Sequence, residues 1–139
     1  MMDALKVALV TSVSALQAQS MRLRVVSENL ANASSTGATA GSDPYARKTI
    51  AFKEELDRAS NAATVRVAAI GTDRTPFRME HDPGNPAADK DGNVKMPNVN
   101  PLLELAYMRE AHRSYEASLQ VVRQARDMTS DLIDLLKNR

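Results

Sequence analysis

The positions of glycine and proline constrain this chain more than any other feature of its sequence. All five glycines and all six prolines lie between residues 37 and 101, so neither residue occurs before or after that stretch. Because both residues interrupt helices, the distribution predicts a long helix at each end of the chain and an irregular or β-structured middle. We therefore expect an α+β fold with three segments, 1–36, 37–100 and 101–139.

The first segment carries a seam of leucines. Four of them recur every seven residues and would line one face of a helix, namely Leu9, Leu16, Leu23 and Leu30. Alanine and serine dominate around the seam, which would let a neighbouring helix approach closely. Asn29 and Asn32 flank the last leucine, and we expect their amide partners to lie largely on other chains. The alternative is that these asparagines, Asn32 above all, merely stop the helix as C-caps.

The last segment predicts an amphipathic helix that begins with Asn100 as its N-cap and Pro101 at the first helical position. Apolar residues recur there at spacings of three and four for about 35 residues, or about 50 Å of helix. The candidate interface residues on this stripe are Met108, Tyr115, Leu119, Val122 and Leu132. Two paired helices bury only one face each, so we infer an oligomer whose terminal helices are disordered or loosely helical until partners arrive.

The middle segment predicts short strands separated by turns. Apolar and polar residues alternate over 46–52, 64–68 and 77–80, and briefly at Val94 and Met96. Alternation of this kind is typical of strands with one buried face. Runs of Asp, Pro, Gly and Asn predict turns at 82–86 and 91–93, and residues 34–44 predict a flexible loop. A β insert of this size would have only a small core of its own.

Composition excludes several classes of partner. Lys and Arg total 18 against 17 Asp and Glu, so no strong field would attract nucleic acid or anionic lipid. The absence of cysteine excludes disulfides and thiolate metal sites. The N-terminal stretch lacks the basic region and cleavage pattern of a cleaved signal peptide, and no run of 18 apolar residues predicts a membrane span.

The sequence offers no constellation of catalytic or cofactor-binding residues. His81 and His112 lie in different segments without the spacing of paired metal ligands. Asp89 and Asp91 mimic the opening of a calcium loop, but valine stands where such a loop needs glycine. We therefore interpret Asp91 and the following Gly92 as a hairpin turn. No catalytic residue, cofactor or metal site is expected, and an enzyme is not indicated.

Several motifs resemble those of flagellar axial proteins. The S-x-N-L-A-N element within residues 26–33 is similar to the signature that ends the first helix of rod and hook proteins. Residues 44–48 (PYARK), 113–117 (RSYEA) and above all 82–100 extend the resemblance over nearly the full length and make it closest to basal-body rod proteins of the C type. The stretch 82–100 is what separates that type from sister rod proteins.

The resemblance implies a structural role. In that family the terminal helices pair as a coiled-coil-like core domain lining a tube, and the middle segment lies further out. The chain would be a proximal-rod subunit in the periplasmic space that transmits torque, encloses the export channel and is exported without a cleaved signal. Its partners would be itself, other rod subunits, and membrane-ring and export-gate components at the rod base, with no nucleic acid and no direct lipid contact.

The leucine seam and the apolar stripe of the last segment would then be subunit interfaces, with both asparagines fixing register. Two alternatives remain open. A cytosolic helical adaptor or export chaperone would explain the two helices but not the middle segment. A small periplasmic protein with a cleaved signal is the other alternative, and an intact N-terminal peptide would exclude it.

Overall fold

The computed structural model describes residues 2–137, which form two long helices with four strands between them. Met1, Asn138 and Arg139, which the predicted terminal segments include, lie outside the described residues. The order of the elements is α1 Met2–Ala31, β1 Lys48–Asp57, β2 Ala62–Thr72, β3 Arg78–His81, β4 Asn93–Met96 and α2 Pro101–Lys137. The predicted α+β class, with a terminal helix on each side of a small β region, is confirmed.

The start of α2 is the boundary that the sequence predicted best. The side-chain oxygen of Asn100 accepts hydrogen bonds from the backbone N–H groups of Leu102 (3.1 Å) and Leu103 (3.4 Å). The Asn100 carbonyl also accepts a bond from the Glu104 N–H at 3.0 Å. These bonds satisfy helix-terminal donors that have no partner inside the helix. Asn100 as N-cap and Pro101 at the first helical position are therefore confirmed.

The strands form two separate two-stranded sheets, β1 with β2 and β3 with β4. β3 and β4 pair antiparallel, with Arg78 opposite Met96 and His81 opposite Asn93. β1 and β2 are longer than the predicted strands. β1 continues through residues 53–57, and β2 continues through residues 69–72. Most of these added residues are exposed, so they lack the apolar alternation that a buried face produces.

The turn before β4 requires glycine. Gly92 has a φ of 78°, and a Cβ there would lie 2.9 Å from Cε1 of His81. The Asp89 carboxylate accepts hydrogen bonds from the backbone N–H groups of Asp91 and Asn93, both at 2.9 Å. Asp89 thus serves as a turn-forming residue, and the interpretation of Gly92 as a turn residue is confirmed.

Contacts divide the chain into two compact units. Unit 1 comprises the described parts of Met1–Leu23, Ala51–Ala69 and Arg109–Arg139, and unit 2 comprises Arg24–Ile50 and Ile70–Met108. Each unit contains part of both helices and part of the β1–β2 hairpin. The division of the sequence into three segments stays a prediction.

Within unit 1, α1 binds main-chain groups of β2. The Thr11 hydroxyl donates to the Ala63 carbonyl at 2.9 Å, and the Ser14 hydroxyl accepts from the Val65 N–H at 3.1 Å. A strand with free main-chain groups is a template for unwanted pairing, and here two helix hydroxyls occupy some of those groups. Arg22 of α1 also forms an ion pair with Glu110 of α2, with a nitrogen–oxygen distance of 3.3 Å.

The buried apolar side chains are small. Those in unit 1 are Ala18, Ala62, Ala111, Val122 and Ala125, and those in unit 2 are Val25, Val26, Ala87, Val94 and Val99. The largest fully buried side chains are Glu104, Val94, Asn29 and Pro97, and the first and third of these are polar. Of the residues the structure describes, no helical stretch combines the length and the apolar character needed to cross a bilayer.

Candidate functional site

Asn29, near the end of α1, is at the centre of a buried polar cluster in unit 2. Only 1% of its surface is exposed, and its amide makes four hydrogen bonds. The oxygen accepts from the Lys48 N–H and from the Tyr45 hydroxyl, both at 2.8 Å. The nitrogen donates to the Lys48 carbonyl at 2.9 Å and to Glu104 Oε2 at 3.2 Å. The amide therefore holds both main-chain polar groups of Lys48, where β1 begins.

The prediction that the amide partners lie largely on other chains is wrong for Asn29, and two hydrogen-bond partners of Asn32 also lie within the chain. Asn29 has the full hydrogen-bonding capacity of its amide satisfied within the chain. Asn32 donates from Nδ2 to the Glu28 carbonyl at 2.9 Å, and its Oδ1 accepts from the Ser35 hydroxyl at 3.1 Å. Because α1 ends at Ala31, these contacts make Asn32 a local cap, as the alternative reading of that residue anticipated.

Glu104 supplies a buried negative charge, and Arg47 pairs with it. Glu104 is fully buried, and its Oε1 accepts a hydrogen bond from Arg47 Nε at 2.6 Å. Arg47 also reaches Asp73, with Nη1 3.4 Å from Oδ2. Its guanidinium carbon lies 5.8 Å from the centre of the Tyr107 ring, within range of a cation–π contact. One arginine thus joins Asp73, the residue after β2, to α2 through two carboxylates.

Asn98 completes the cluster at the level of the main chain. Its Oδ1 accepts from the Arg47 N–H at 2.7 Å, and its Nδ2 donates to the carbonyls of Asp73 (3.1 Å) and Thr75 (2.9 Å). The Asp73 N–H in turn donates to the Arg47 carbonyl at 2.8 Å. Arg47 is therefore held through both its side chain and its main chain. We define the polar cluster as Asn29, Tyr45, Arg47, Asp73, Asn98 and Glu104.

The cluster shifts the pKa values of three of its members. Burial raises the pKa of the Tyr45 hydroxyl, and the negative charges of Glu28 and Glu104 raise it further. Burial disfavours the charged form of Arg47, but the hydrogen bond and the charge of Glu104 more than compensate and leave its pKa above the ordinary value. Hydrogen bonds from Thr75 hold the pKa of Asp73 below its usual range, and Arg47 contributes to the lowering.

This arrangement is suited to holding chain segments together. Each of the polar side chains described above binds another part of the same unit, and several of them bind main-chain groups. Buried polar groups that are all paired fix one geometry, because any other arrangement leaves some of them unsatisfied. The cluster therefore sets the mutual positions of the end of α1, the start of β1 and the start of α2 within unit 2.

The predicted leucine seam is only partly covered by its own chain. All four leucines, Leu9, Leu16, Leu23 and Leu30, are half-buried. The α1 residues that are buried instead are Ala18, Val25, Val26 and Asn29. The face of α1 that packs inside the chain is thus a different face from the leucine seam.

The predicted stripe of α2 is more deeply covered. Val122 is 5% exposed and belongs to the core of unit 1. The other four predicted positions, Met108, Tyr115, Leu119 and Leu132, are half-buried. The large apolar residues that α2 exposes lie elsewhere on the helix, at Leu102, Leu103, Leu105, Val121, Met128, Ile133, Leu135 and Leu136.

Sequence reasoning did not single out Glu104 or Arg47. Glu104 lies four residues before Met108 and seven before Ala111, so a carboxylate falls on the apolar stripe of α2. A charge on a core-facing position needs a partner, and this signal could have identified it. Arg47 lies inside the motif at residues 44–48, which pointed only to the resemblance to flagellar axial proteins and not to a role for the arginine.

Comparison with known proteins connects this geometry to a family. A family model described as flagella basal body rod protein matches residues 9–39, and one described as the C-terminal part of flagellar basal body rod FlgEFG protein matches residues 90–135. The first match contains Asn29 and Asn32, and the second contains Asn98 and Glu104.

Named relatives match along most of the chain. A flagellar basal-body rod protein FlgC from Agrobacterium fabrum is 59% identical over 136 residues, which cover 98% of both chains. The chain belongs to the FlgC family of flagellar basal-body rod proteins. FlgC of Salmonella typhimurium is 42% identical over 117 residues, covering 83% of this chain and 85% of the relative. FlgC of Escherichia coli O157:H7 matches with the same identity and coverage.

Membership of the FlgC family makes this chain a structural subunit of the flagellar basal-body rod. The resemblance drawn from residues 26–33 and 82–100 is therefore confirmed. The reading as a cytosolic adaptor or export chaperone is not favoured, because the FlgC relatives match the middle segment as well as both helices.

Proposed function

We propose that copies of this chain assemble head-to-tail with one another and with other rod subunits into the tube of the proximal rod. The half-buried leucine seam carries the proposal, because a rod subunit needs apolar surface that its own fold leaves available. A head-to-tail contact repeated with a screw rotation gives an open tube. Such a tube would transmit torque along its wall and enclose the export channel.

The proposed interface consists of the leucine seam and the partly exposed stripe of α2. Burying the remaining apolar surface of Leu9, Leu16, Leu23 and Leu30 would contribute about 25 cal/mol for each Å² removed from water. Met108, Tyr115, Leu119 and Leu132 offer further partly exposed apolar surface on α2. Val122 is already buried in its own chain, so we propose that it packs inside the subunit and positions the neighbouring stripe residues. We also propose that α1 and α2 pair as a coiled-coil-like core, as the Arg22–Glu110 ion pair supports.

We assign Asn29 a register role that acts inside the chain. Its bonds to Lys48 and Glu104 fix where α1 ends relative to β1 and α2. The position of Leu30, one residue further along, follows from that register. Asn29 would thus determine which part of the seam each neighbour meets, although it is buried away from the neighbours.

Further properties of the proposal concern location and chemistry. We propose that the subunit lies in the periplasmic part of the basal body and is exported without a cleaved signal peptide. Membrane-ring and export-gate components at the rod base would be its remaining partners. We propose no catalytic activity and no cofactor, since the FlgC family is a structural one.

Mass spectrometry of purified hook–basal-body particles from the source cell would test the proposal. We expect this chain among the rod subunits with an unprocessed N-terminal peptide. A processed N-terminus would refute export without cleavage. Absence from particles that contain other rod subunits, with the chain in the cytosol instead, would refute the rod assignment itself.

A further inference from the structure

The outer edge of the β3–β4 sheet, which lies wholly in unit 2, is open. All four residues of β3 are exposed, whereas Val94 of β4 is fully buried. An edge strand presents main-chain N–H and C=O groups to which another strand can pair. In unit 1, two hydroxyls of α1 bind such groups on β2. Of the residues that the structure describes, only those of β4 pair with β3, so its other edge is available.

The register of the sheet identifies the main-chain groups that point outward. The Asp82 N–H donates to the Gly92 carbonyl at 3.0 Å, one step beyond the opposed pair of His81 and Asn93. Opposed pairs in an antiparallel ladder alternate between hydrogen-bonded and non-hydrogen-bonded. His81 and, two residues earlier, Met79 therefore belong to non-hydrogen-bonded pairs. Both main-chain polar groups of Asn93 indeed bind a turn residue instead. The N–H and C=O groups of Met79 and His81 thus point away from β4.

The β3 edge is complementary to a second copy of itself. Residues two apart share one face of a strand, so Arg78 and Glu80 lie on one face, and both are exposed. When two β3 strands run antiparallel with their Met79 residues opposite each other, each Arg78 lies opposite the Glu80 of the other copy. These are non-hydrogen-bonded pairs, in which side chains come closest, and opposite charges placed across two strands stabilise the pairing.

Other registers lack this complementarity. A pairing centred on Glu80 would place that carboxylate opposite its own copy. A pairing centred on His81 would place Glu80 opposite Asp82. Like charges directly opposite each other destabilise a strand pair. The register centred on Met79 is therefore the favoured one, and it also brings together two methionine side chains that are 57% exposed in the single chain.

We propose that two copies of the free subunit pair through their β3 edges, antiparallel and with Met79 at the two-fold axis. The pairing covers main-chain groups that would otherwise be a template for unspecific strand addition. It uses the same surface of both copies, whereas a head-to-tail tube joins two different surfaces by a screw rotation. The pair is therefore a state of the subunit outside the tube, and it does not depend on the proposed function.

Charge reversal in the full-length chain tests the pairing. Arg78→Glu and Glu80→Arg each turn two opposite-charge contacts into like-charge contacts, so each variant should dimerise at least about tenfold more weakly than the wild type. An equimolar mixture of the two variants should regain the dimer, because every contact between unlike copies again joins opposite charges. The double variant Arg78→Glu/Glu80→Arg should regain it as well. Sedimentation velocity over a concentration series at low salt measures the association, since salt screens exposed charges.

Glu54→Arg is the matched control for the change of charge. Glu54 is also an exposed glutamate within a strand, but it belongs to β1, so this variant should dimerise as the wild type does. Circular dichroism checks that each variant is folded. If a single reversal disturbs β3, the double variant still decides the matter, because it has the same composition as the wild type and restores both contacts.

A cysteine introduced at the two-fold axis tests the register. The natural chain has no cysteine. Hydrogen-bonded antiparallel pairs hold their Cα atoms about 5.5 Å apart, a separation that a disulfide can bridge. Met79→Cys should therefore form a disulfide-linked dimer in a glutathione redox buffer. Leu56→Cys is the matched control, because Leu56 is 58% exposed. It should link at least about tenfold more slowly, because no pairing raises the effective concentration of its thiols.

Three outcomes would overturn the inference. One is a Glu80→Arg variant that associates as strongly as the wild type, and another is a mixture of the two charge variants that associates no better than its components. The third is a Met79→Cys variant that links no faster than Leu56→Cys. Linking of the Met79→Cys variant inside purified rod particles would refute the placement of the pair outside the tube. Absence of the chain from such particles would refute the proposed function alone, because the other tests use the free subunit.

Discussion

Replacing Asn29 with alanine is the most direct perturbation of the polar cluster. The amide makes four hydrogen bonds within unit 2, and Asn29→Ala removes all of them. Each buried group left without a partner costs roughly 1–3 kcal/mol. Lys48 and Tyr45 are half-buried residues, so the groups they leave unpaired can recover some hydration, whereas Glu104 is fully buried. We therefore expect the free energy of unfolding to fall by about 2–4 kcal/mol.

Urea unfolding followed by circular dichroism would measure this loss at concentrations where sedimentation shows monomer. Asn32→Ala is the matched control, because Asn32 is half-buried and bonds only near the helix end. Its loss should be about 1 kcal/mol. An Asn29→Ala variant within about 0.5 kcal/mol of the wild type, the range of neutral surface changes, would refute the view that the cluster fixes unit 2.

Asn29→Asp separates geometry from charge at the same position. The new carboxylate would keep the acceptor but would stand beside Glu104, where Nδ2 is now 3.2 Å from Oε2. Burial and the neighbouring negative charge would raise its pKa in the folded chain above the unfolded value. Its penalty should therefore be smallest below about pH 4, where a protonated carboxyl still replaces one of the two N–H donors, and should grow as the pH rises. A penalty that does not change with pH would contradict the contact with Glu104.

Three further predictions concern other members of the cluster and the helix start. Arg47→Met leaves the buried Glu104 carboxylate without a positive partner and should cost about 3–5 kcal/mol in urea unfolding. Adding Glu104→Leu should recover only part of that loss, because it removes the buried charge but also removes the acceptor of Asn29 Nδ2. The pKa of the Tyr45 hydroxyl is raised in the folded chain. The contribution of that hydroxyl to the free energy of unfolding is therefore complete below about pH 10 and is lost as the pH rises through the pKa of the folded state. Between about pH 9 and pH 11, Tyr45→Phe should consequently lose less stability than the wild type. Asn100→Ala should destabilise α2 by about 0.5–2 kcal/mol in thermal unfolding, because it removes the N-cap bonds.

The sequence predicted the helices well because their signals are local. The glycines and prolines lie between the two helices and so mark their limits. The start of α2 depends on Asn100 and Pro101, which act within one turn. The long β1–β2 hairpin was underestimated because most of its outer residues are exposed and show no buried face. Alternation identifies strands by burial, so a strand that is solvated on both faces gives little signal.

The polar cluster could be predicted only in part. The sequence marked Asn29 as unusual, but the Glu104 carboxylate that it contacts is 75 residues away along the chain. Neither hydrophobic periodicity nor helix-capping rules relate residues that far apart in the sequence. A neighbouring chain was therefore the natural place to expect the partner of Asn29. The carboxylate on the apolar stripe of α2 was the missing clue, because a buried charge and a buried amide each need a partner.

The structure separates the groups that define the subunit from those that would join subunits. The buried apolar side chains are alanines and valines, while the larger leucines of α1 remain half-buried. A paired buried charge contributes little net stability, because the cost of removing it from water offsets much of the attraction. The cluster can therefore specify one arrangement of α1, β1 and α2 without using the apolar surface of the leucine seam. Were those leucines the core of the subunit, its fold would be more stable alone, but it would have less apolar surface to bury against its neighbours.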